Sequence, residues 1–486
     1  MIESKNIKNK AIIGFFWSLS ENGGSYILHF LIGLVLIRLI EPIDYGIIAM
    51  MTFFVTLGTV ISDFGLATAL IQKKEPTDED YSTVFWVNFI ISVLYYLLIF
   101  AFSELISFFY SEPLIKTIIP IFSLNFIITA IGNVHLAKIS RNLNYKLWTK
   151  INLSSLIIAG SISIVLAFNS MGIWALVFIQ IIQNLSNTIQ LWLLNKWGHQ
   201  FKFSLKSFVN LLSFSKSISL VNIINTIYTE LYNLLIGRIF QAKPLAYYLK
   251  AKQTSEIFPL QLSATTSKVM LPVFSNLQGD NTALIHSYNK VLILIGYLNF
   301  SVLAFLAANA ESLFILLYTE KWITAVPYFK LLCIEGMFLP LHLMSANLLI
   351  AKGKTKKYMI IELSKRVIQA IIIILSLDSI NNIIYGQILT GSIFAIIGFW
   401  VVSKTIHYSI FNQIKIIVPY ILLSVAIFIL NIITNNFLEN FGYLFKITIA
   451  FFISLIFYLC FSYVFKLEAF LNIKTIVLNK ITNQHN

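Results

Sequence analysis

The sequence predicts an all-α integral membrane protein with about fourteen transmembrane helices. Of its 486 residues, 58% are hydrophobic and only 12% are charged, whereas a soluble domain carries about 25% charged residues. A weak internal repeat further indicates two related halves. The net charge of +14 favours membrane topology over a nucleic-acid partner, because membrane proteins concentrate lysine and arginine in cytoplasmic loops.

Apolar runs of about 20 residues mark the predicted spans. They lie near residues 11–39, 43–65, 82–107, 114–138, 148–168, 172–195, 217–240, 245–270, 286–308, 324–351, 358–377, 380–403, 416–434 and 443–465. With a cytoplasmic N-terminus, the inner segments hold about 24 of the 35 basic residues. We therefore expect both termini to be cytoplasmic. The first apolar run, of about 30 residues, is too long for a signal peptide and is expected to remain as an uncleaved span.

The internal repeat relates the first six spans to the next six. Arg38 and the residues after it recur, with changes, at Arg238, and the triplet beginning at Tyr110 recurs at Tyr318. A steady offset of about 200 residues is hard to obtain by chance. An even number of spans gives two parallel six-helix repeats, with two extra peripheral helices at the C-terminus. The expected domains are residues 1–200 and 217–410, an amphipathic cytoplasmic linker at 201–216, and the extra helices with a cytoplasmic tail at 411–486.

Polar residues recur at helical spacing in the first two spans of each repeat, so that they share one face of each helix. The candidate substrate-binding residues on these faces are Ser25, His29, Asn222, Asn225, Thr229, Asn233, Lys250, Thr254, Gln261 and Lys268. Span 2 carries Thr52, Thr56, Thr59 and Asp63 in the same way, and span 1 also carries Glu21. Four such faces at repeat-related positions favour a shared water-filled cavity. The alternative is that these groups hold packed helices together.

Charged residues inside spans indicate function, because a charge at the bilayer centre costs about 2.5–3.5 kcal/mol. Lys250 and Lys252 project about 160° apart around their helix, so only Lys250 is expected on the polar face. Lys252 and Glu256 are spaced to pair.

The other charged residues of the spans form three further sets. Glu335 and His342 form a proton relay or bond to neighbouring helices, and Glu362 and Arg366 form an intrahelical ion pair. Arg38 and Arg238 are positioned to snorkel at helix ends, and their recurrence in both halves adds a gating role as the alternative.

Signatures of catalysis are missing from the sequence. It has no phosphate-cradling glycine-rich loop with lysine and no HExxH motif, so we expect no enzyme activity, no cofactor and no metal site. Cys333 and Cys460 lie in separate apolar runs and are not expected to form a disulfide.

Several segments together resemble a known family. They are residues 14–18, 38–50, 63–88, 172–177, 246–253 and 320–322. The chain is similar over most of residues 1–410 to polysaccharide flippases of the O-antigen and teichoic-acid type, within the multidrug/oligosaccharidyl-lipid/polysaccharide exporter superfamily. Members usually have Asn-Arg where this chain has Leu249-Lys250. That change keeps the charge but loses the bidentate geometry of a guanidinium.

The resemblance implies a central cavity lined by spans 1, 2, 7 and 8. It implies transport of an undecaprenyl-pyrophosphate-linked oligosaccharide to the outer leaflet of the bacterial cytoplasmic membrane, by alternating access. Proton, sodium or potential coupling would involve Glu21, Asp63 or Glu335. The expected partners are the lipid-linked oligosaccharide, membrane lipids, a polysaccharide polymerase and chain-length machinery. Neither the glycan nor the oligomeric state follows from the sequence.

Two other functions stay open at this point. A drug or cation exporter of the same fold would have an acidic or aromatic cavity without a buried lysine. A membrane polysaccharide polymerase would need catalytic side chains on a sizeable outer loop, and no outer loop here is predicted to exceed about 15 residues.

Overall fold

The computed structural model describes residues 2–195 and 202–471, and their regular structure is entirely helical. The helices are α1 (Ile2–Leu39), α2 (Pro42–Asp63), α3 (Leu66–Gln72), α4 (Asp78–Tyr110), α5 (Leu114–Phe122), α6 (Leu124–Arg141), α7 (Tyr145–Phe168), α8 (Ile173–Leu194), α9 (Leu205–Phe240), α10 (Ala242–Asn276), α11 (Asn281–Ile295), α12 (Ser301–Ala308), α13 (Ala310–Tyr318), α14 (Val326–Ala351), α15 (Thr355–Leu375), α16 (Ile380–Ile406), α17 (Ile410–Phe437) and α18 (Tyr443–Val464). A π-helical turn (Gly296–Phe300) joins α11 to α12, and a 3₁₀ turn (Glu320–Ala325) precedes α14. The predicted all-helical membrane fold is confirmed.

Within the described residues, ten helical segments are long and apolar enough to cross a membrane by length and composition alone. The predicted spans outside this set correspond to α1, α8, α10 and α15, which form as helices. Helix α1 contributes the shorter apolar segment Gly23–Leu39 and also carries Glu21, Ser25 and His29, and α8, α10 and α15 carry many amide or charged side chains. Polar groups of this kind are stable in a bilayer only where they meet other polar groups or water. These four helices are therefore the places to look for function.

The helices divide into two compact units, the first ending at Ala246 and the second beginning at Tyr247. The division falls inside α10, so α9 belongs with the first unit. Helix α9 is continuous from Leu205, which means that the part of the expected linker from Leu205 onward forms its first three turns. The rest of that linker before Lys202, and the tail from Asn472, lie outside the described residues.

In the first unit, the N-terminal part of α9 packs against other helices of the same unit. Leu211 is buried in an apolar cluster with residues of α3, α4 and α6, and Phe208 packs against that cluster. Ser219 donates a hydrogen bond to the Phe64 carbonyl, beside Gly65 in the α2–α3 turn. Both Phe64 and Gly65 have left-handed backbone angles, which allow the chain to reverse between α2 and α3.

In the second unit, the main core lies among α11, α14, α16 and α17. Tyr288, Leu348 and Leu423 are fully buried there. The chain after α18 returns to the same core, since Leu467 and Ala469 are buried in it. The two cysteines are unpaired, with Cys333 buried and Cys460 exposed.

Candidate functional site

Lys250 is the most informative charged residue of the predicted spans. Its Nζ atom lies 5.0 Å from the centre of the Tyr318 ring, a cation–π distance. Thr254, one turn later on α10, donates a hydrogen bond of 2.7 Å to the Lys250 carbonyl. Its single hydroxyl proton is then used, so Tyr318 is the donor in the 3.0 Å contact between the two hydroxyls. Lysine, threonine and tyrosine thus form one cationic, hydroxyl-bearing site on α10 and α13.

Lys252 has different surroundings from Lys250, as the helical geometry predicted. Lys252 Nζ lies 4.0 Å from Glu256 Oε1, with both side chains about one-quarter exposed. The same ammonium lies 5.9 Å from the Tyr248 ring centre. Tyr248 is fully buried, and its hydroxyl accepts a 2.7 Å hydrogen bond from Gln387. The predicted Lys252–Glu256 pair is confirmed, and it borders a buried contact between α10 and α16.

Farther along α10, the polar face is exposed. Gln261 and Lys268 are both exposed, whereas Lys250 and Thr254 are half-buried. Pro259, which removes one backbone hydrogen bond of a helix, is buried between these two parts and faces Gly336 of α14. The α10 face therefore has a part fixed on Tyr318 and a part open to ligand, water or lipid.

A charged network connects α10, α14 and α15 within the second unit. The electrostatic neighbours of Glu335 on α14 are Glu256, Lys252 and Lys365. Two turns after Glu335 on α14, His342 Nε2 lies 3.0 Å from Glu362 Oε2 of α15. Glu335 and His342 thus interact with different partners and do not form a direct relay. Opposite charges on adjacent helices are a known arrangement for ionisable groups inside membranes.

The candidates on α1 are divided between helix contact and exposed surface. Asn152 of α7 donates hydrogen bonds to Glu21 at 2.6 Å and to Ser25 at 3.2 Å. His29, two turns after Glu21, is exposed. Glu21 and Ser25 therefore hold α1 on α7 in this structure, as the helix-contact interpretation expected, while His29 is accessible.

On α9, the candidates follow one exposed or half-buried face. Asn222 and Thr229 are exposed, and Thr229 donates to the carbonyl of Asn225 in its own helix. Asn233 donates a 2.6 Å hydrogen bond to Glu230, an acidic residue that the sequence pattern did not select. Hydroxyls bonded within their own helix keep lone pairs available for a ligand.

Asp63 and Arg238 both lie at helix ends. Asp63 ends α2, and its carboxylate accepts a hydrogen bond from the amide of Ala67 in the first turn of α3 at 3.3 Å. Arg238 lies above the Phe109 ring at 5.4 Å and within 3.5 Å of the Ser111 hydroxyl. Arg238 thus contacts Ser111, the second residue of the recurring triplet that begins at Tyr110. Arg38, its counterpart in the repeat, is exposed on the last turn of α1.

A buried polar cluster at the start of α4 was missed by sequence reasoning. Asp80 is only 2% exposed. It receives hydrogen bonds from Lys73 at 2.6 Å, from the Thr77 amide at 2.8 Å, and from Ser207 of α9. Arg141 at the end of α6 donates to several carbonyls at the end of α3 and in the following loop, including Ile71 at 3.1 Å. The run Thr77 to Asp80 has the pattern of a capping box, which was the available signal.

Comparisons with known proteins identify relatives of the chain. The sequence matches the family described as polysaccharide biosynthesis protein over residues 35–327, more than half of its length. It is 26% identical over 355 residues to the lipopolysaccharide biosynthesis protein WzxC of Escherichia coli K12, covering 72% of this chain and 71% of that protein. It is 25% identical over 332 residues to the succinoglycan biosynthesis transport protein ExoT of Rhizobium meliloti, covering 67% and 66%.

Among solved structures, the fold is similar to that of the lipid II flippase MurJ in an inward closed conformation. The TM-score is 0.66 at 16% sequence identity, covering 92% of this chain and 98% of that one. The likeness shows a common helical membrane fold.

Proposed function

The chain belongs to the polysaccharide biosynthesis protein family, and on that basis we propose that it is a flippase for a lipid-linked oligosaccharide. Relatives named for lipopolysaccharide biosynthesis and succinoglycan transport support a role in surface polysaccharide export. The proposed cargo is an oligosaccharide on undecaprenyl pyrophosphate, moved by alternating access across the bacterial cytoplasmic membrane.

The observation that carries the proposal is the site formed by Lys250, Thr254 and Tyr318. A lysine inside a hydrophobic span costs free energy, so its presence there indicates a function. The Tyr318 ring offsets part of that cost without neutralising the charge, so the site stays positive and attracts an anion. A pyrophosphate is such an anion, and the neighbouring hydroxyls suit its oxygens or those of a sugar.

Amide and hydroxyl groups elsewhere complete the proposed substrate-binding set. Asn222, Asn225, Thr229 and Asn233 on α9, with His29 and Ser25 on α1, offer donors and acceptors for sugar hydroxyls. Gln261 and Lys268 extend the α10 face. Glu21 and Ser25 are also bonded to Asn152, so their use by substrate would require α1 and α7 to separate.

Glu335 is the proposed coupling residue, in preference to Glu21 and Asp63. Glu21 is bonded to Asn152 and Asp63 to the α3 amide, which gives each a structural role. Glu335 instead lies among Lys252, Lys365 and Glu256. Gain or loss of one positive charge there changes the electrostatic attraction between α10, α14 and α15. Arg38 and Arg238 are proposed gating residues at the ends of α1 and α9.

Complementation of a strain lacking this gene tests the substrate site. Lys250→Ala should reduce surface glycan by on the order of tenfold or more, the loss of one charge-assisted contact of about 1.5–3 kcal/mol. Lys250→Arg should retain export, and Lys243→Ala, which removes an exposed lysine from the first turn of α10, is the control. Full export by Lys250→Ala at normal protein level would contradict the proposal.

Lipid analysis separates the flippase from the alternatives. Loss of a flippase should trap lipid-linked repeat units on the cytoplasmic leaflet, whereas loss of a polymerase should leave single units on the outer leaflet. A drug or cation exporter of the same fold would change neither pool, and its loss would instead raise sensitivity to cationic compounds.

A further inference from the structure

A groove in the second unit is lined by residues other than those assigned above. It has a volume of about 420 Å³ and is formed by the end of α11, the first turns of α17 and the turn after α18. Its polar lining includes Asn412, Lys415 and Lys466, and its apolar lining includes Ile416 and Phe465. We refer to it as the α17 groove.

The two lysines of the α17 groove are available to a ligand. Both are exposed, and neither forms an ion pair with any of the described residues. Glu468, also exposed, lies on the lining with them. Two lysines and one glutamate leave a single positive charge, which matches the single negative charge of a phosphodiester.

The lining is held in place before any ligand binds. Lys466 has a left-handed backbone angle, and its turn is fixed by the hydrogen bond from the Leu467 amide to the Ser462 carbonyl at 3.0 Å. Leu467 is buried in the core, so the turn cannot move without exposing apolar surface. A fixed turn of this kind reduces the entropy lost on binding.

Tyr420 of the groove lining belongs to a cluster of packed tyrosines. Tyr420 is 2% exposed and packs edge-to-face on Tyr297 at 6.0 Å. Tyr297 stacks on Tyr458 at 4.4 Å, and its hydroxyl lies 3.0 Å from that of Ser462. Rigid aromatic rings beside lysines are typical of the level where lipid headgroups meet acyl chains.

The α17 groove opens on the lysine-rich side of the second unit. The loop between α14 and α15 carries Lys352, Lys354, Lys356 and Lys357. Helix α15 leaves that side and α16 returns to it, so α17 begins there. Lysine-rich edges attract anionic lipids of the adjoining leaflet.

We propose that the α17 groove binds one phospholipid with an anionic phosphodiester headgroup that carries hydroxyls, as in phosphatidylglycerol. Lys415 and Lys466 contact the phosphate, and Ile416 and Phe465 contact the start of the acyl chains. Glu468 accepts a hydrogen bond from a headgroup hydroxyl, and Asn412 donates to or accepts from one. This lipid is a resident of the protein and is distinct from the transported one, so the inference stands apart from the proposed function.

Titration of phosphatidylglycerol into phosphatidylcholine nanodiscs holding the full-length protein tests the site. Wild type should gain thermal stability as phosphatidylglycerol is added and should retain one such lipid in native mass spectrometry. Lys415→Gln with Lys466→Gln should raise the half-stabilising lipid fraction roughly 25-fold, at about fivefold for each lysine. The matched control, Lys354→Gln with Lys404→Gln, removes the same charge from exposed lysines that do not line the groove and should behave as wild type.

Three outcomes would overturn the proposal. The groove variant could respond as wild type, or the control could lose the same response, which would indicate diffuse surface charge. Inorganic phosphate could stabilise the protein as well as the lipid does, which would indicate an ion site. Thermal unfolding in phosphatidylcholine alone shows whether the groove variant folds normally, so that loss of the lipid response is not confused with misfolding.

Discussion

The ammonium of Lys250 lies 5.0 Å from the centre of the Tyr318 ring, and the Tyr318 hydroxyl donates to Thr254. The ring is thus shared between a cation on its face and a hydrogen bond at its edge. Both partners are on α10, whereas Tyr318 ends α13. The contact fixes where the lysine charge lies within the second unit.

This relationship predicts different results for two substitutions of Tyr318. Tyr318→Phe keeps the ring face under Lys250 and loses only a hydrogen bond, so it should retain export and lose ~1 kcal/mol of stability. Tyr318→Leu removes the ring face and a cation–π attraction of about 0.5–2 kcal/mol. It should reduce export much more than the Phe variant does, measured as surface glycan at matched protein level. Equal export by the two variants would show that the ring face is not used.

A second prediction concerns coupling through Glu335. Glu335→Gln removes the charge with little change in shape, so the protein should fold and still bind lipid-linked oligosaccharide. Export driven by an imposed proton or sodium gradient in vesicles should fall on the order of tenfold, a coupling free energy of about 1.4 kcal/mol.

The control for Glu335 is Glu311→Gln, an exposed glutamate in the first turn of α13. It should leave gradient-driven export unchanged. If Glu335→Gln keeps the full response to both gradients, coupling must lie elsewhere, and Glu21 and Asp63 become the residues to substitute next.

A third prediction concerns the close approach of α2 to the α9–α10 turn within the first unit. A Cβ atom added to Gly46 would lie 1.8 Å from the Ala242 carbonyl oxygen, far inside contact distance. Gly46→Ala should therefore destabilise the protein by ~3 kcal/mol or abolish its accumulation, since overpacking of well-packed sites costs about 1–3 kcal/mol or more.

Gly33→Ala is the matched control for Gly46. It is also a helix-interior glycine, but nothing lies within 4 Å of its added Cβ. It should be neutral or stabilise by up to about 1 kcal/mol through helix propensity. Apparent melting temperatures of the purified variants would distinguish the two cases. Equal melting temperatures would show that α2 has room for a methyl group beside the Ala242 carbonyl.

The sequence was sufficient for most of the architecture, because apolar runs and the period of the α-helix are local signals. It also separated Lys250 from Lys252, since a fixed rotation of 100° per residue decides which residues share a face. Both predictions use only residues that are close together in the sequence. The rotation applies to Lys250 and Lys252 because no proline follows them in their helix before Pro259.

Contacts between distant segments could not be predicted in the same way. Residues 201–216 were predicted to form a separate amphipathic linker, yet Leu211 within that segment is buried against α3 and α4, and Ser219 just after it bonds to the α2–α3 turn. Likewise, His342 was expected either to form a relay with Glu335 or to bond to a neighbouring helix, and it is paired with Glu362 of α15. Partners so far apart in the chain leave no periodic pattern.

Asp80 illustrates the same limit and gives the last prediction. Its neighbours Asp78 and Glu79 are exposed acids of the same helical turn, whereas Asp80 is buried and bonded to Lys73 and Ser207. The capping-box spacing from Thr77 singles out Asp80 within that turn, but it does not reveal the bonds to Lys73 and Ser207. Asp80→Asn should lower the free energy of unfolding by ~1–3 kcal/mol, because it leaves charge-assisted donors unsatisfied. Asp78→Asn should cost no more than about 1 kcal/mol, through the helix dipole alone. Thermal unfolding of the two purified variants compares them directly, and equal losses would mean that the Asp80 contacts contribute no more than its charge at the start of α4.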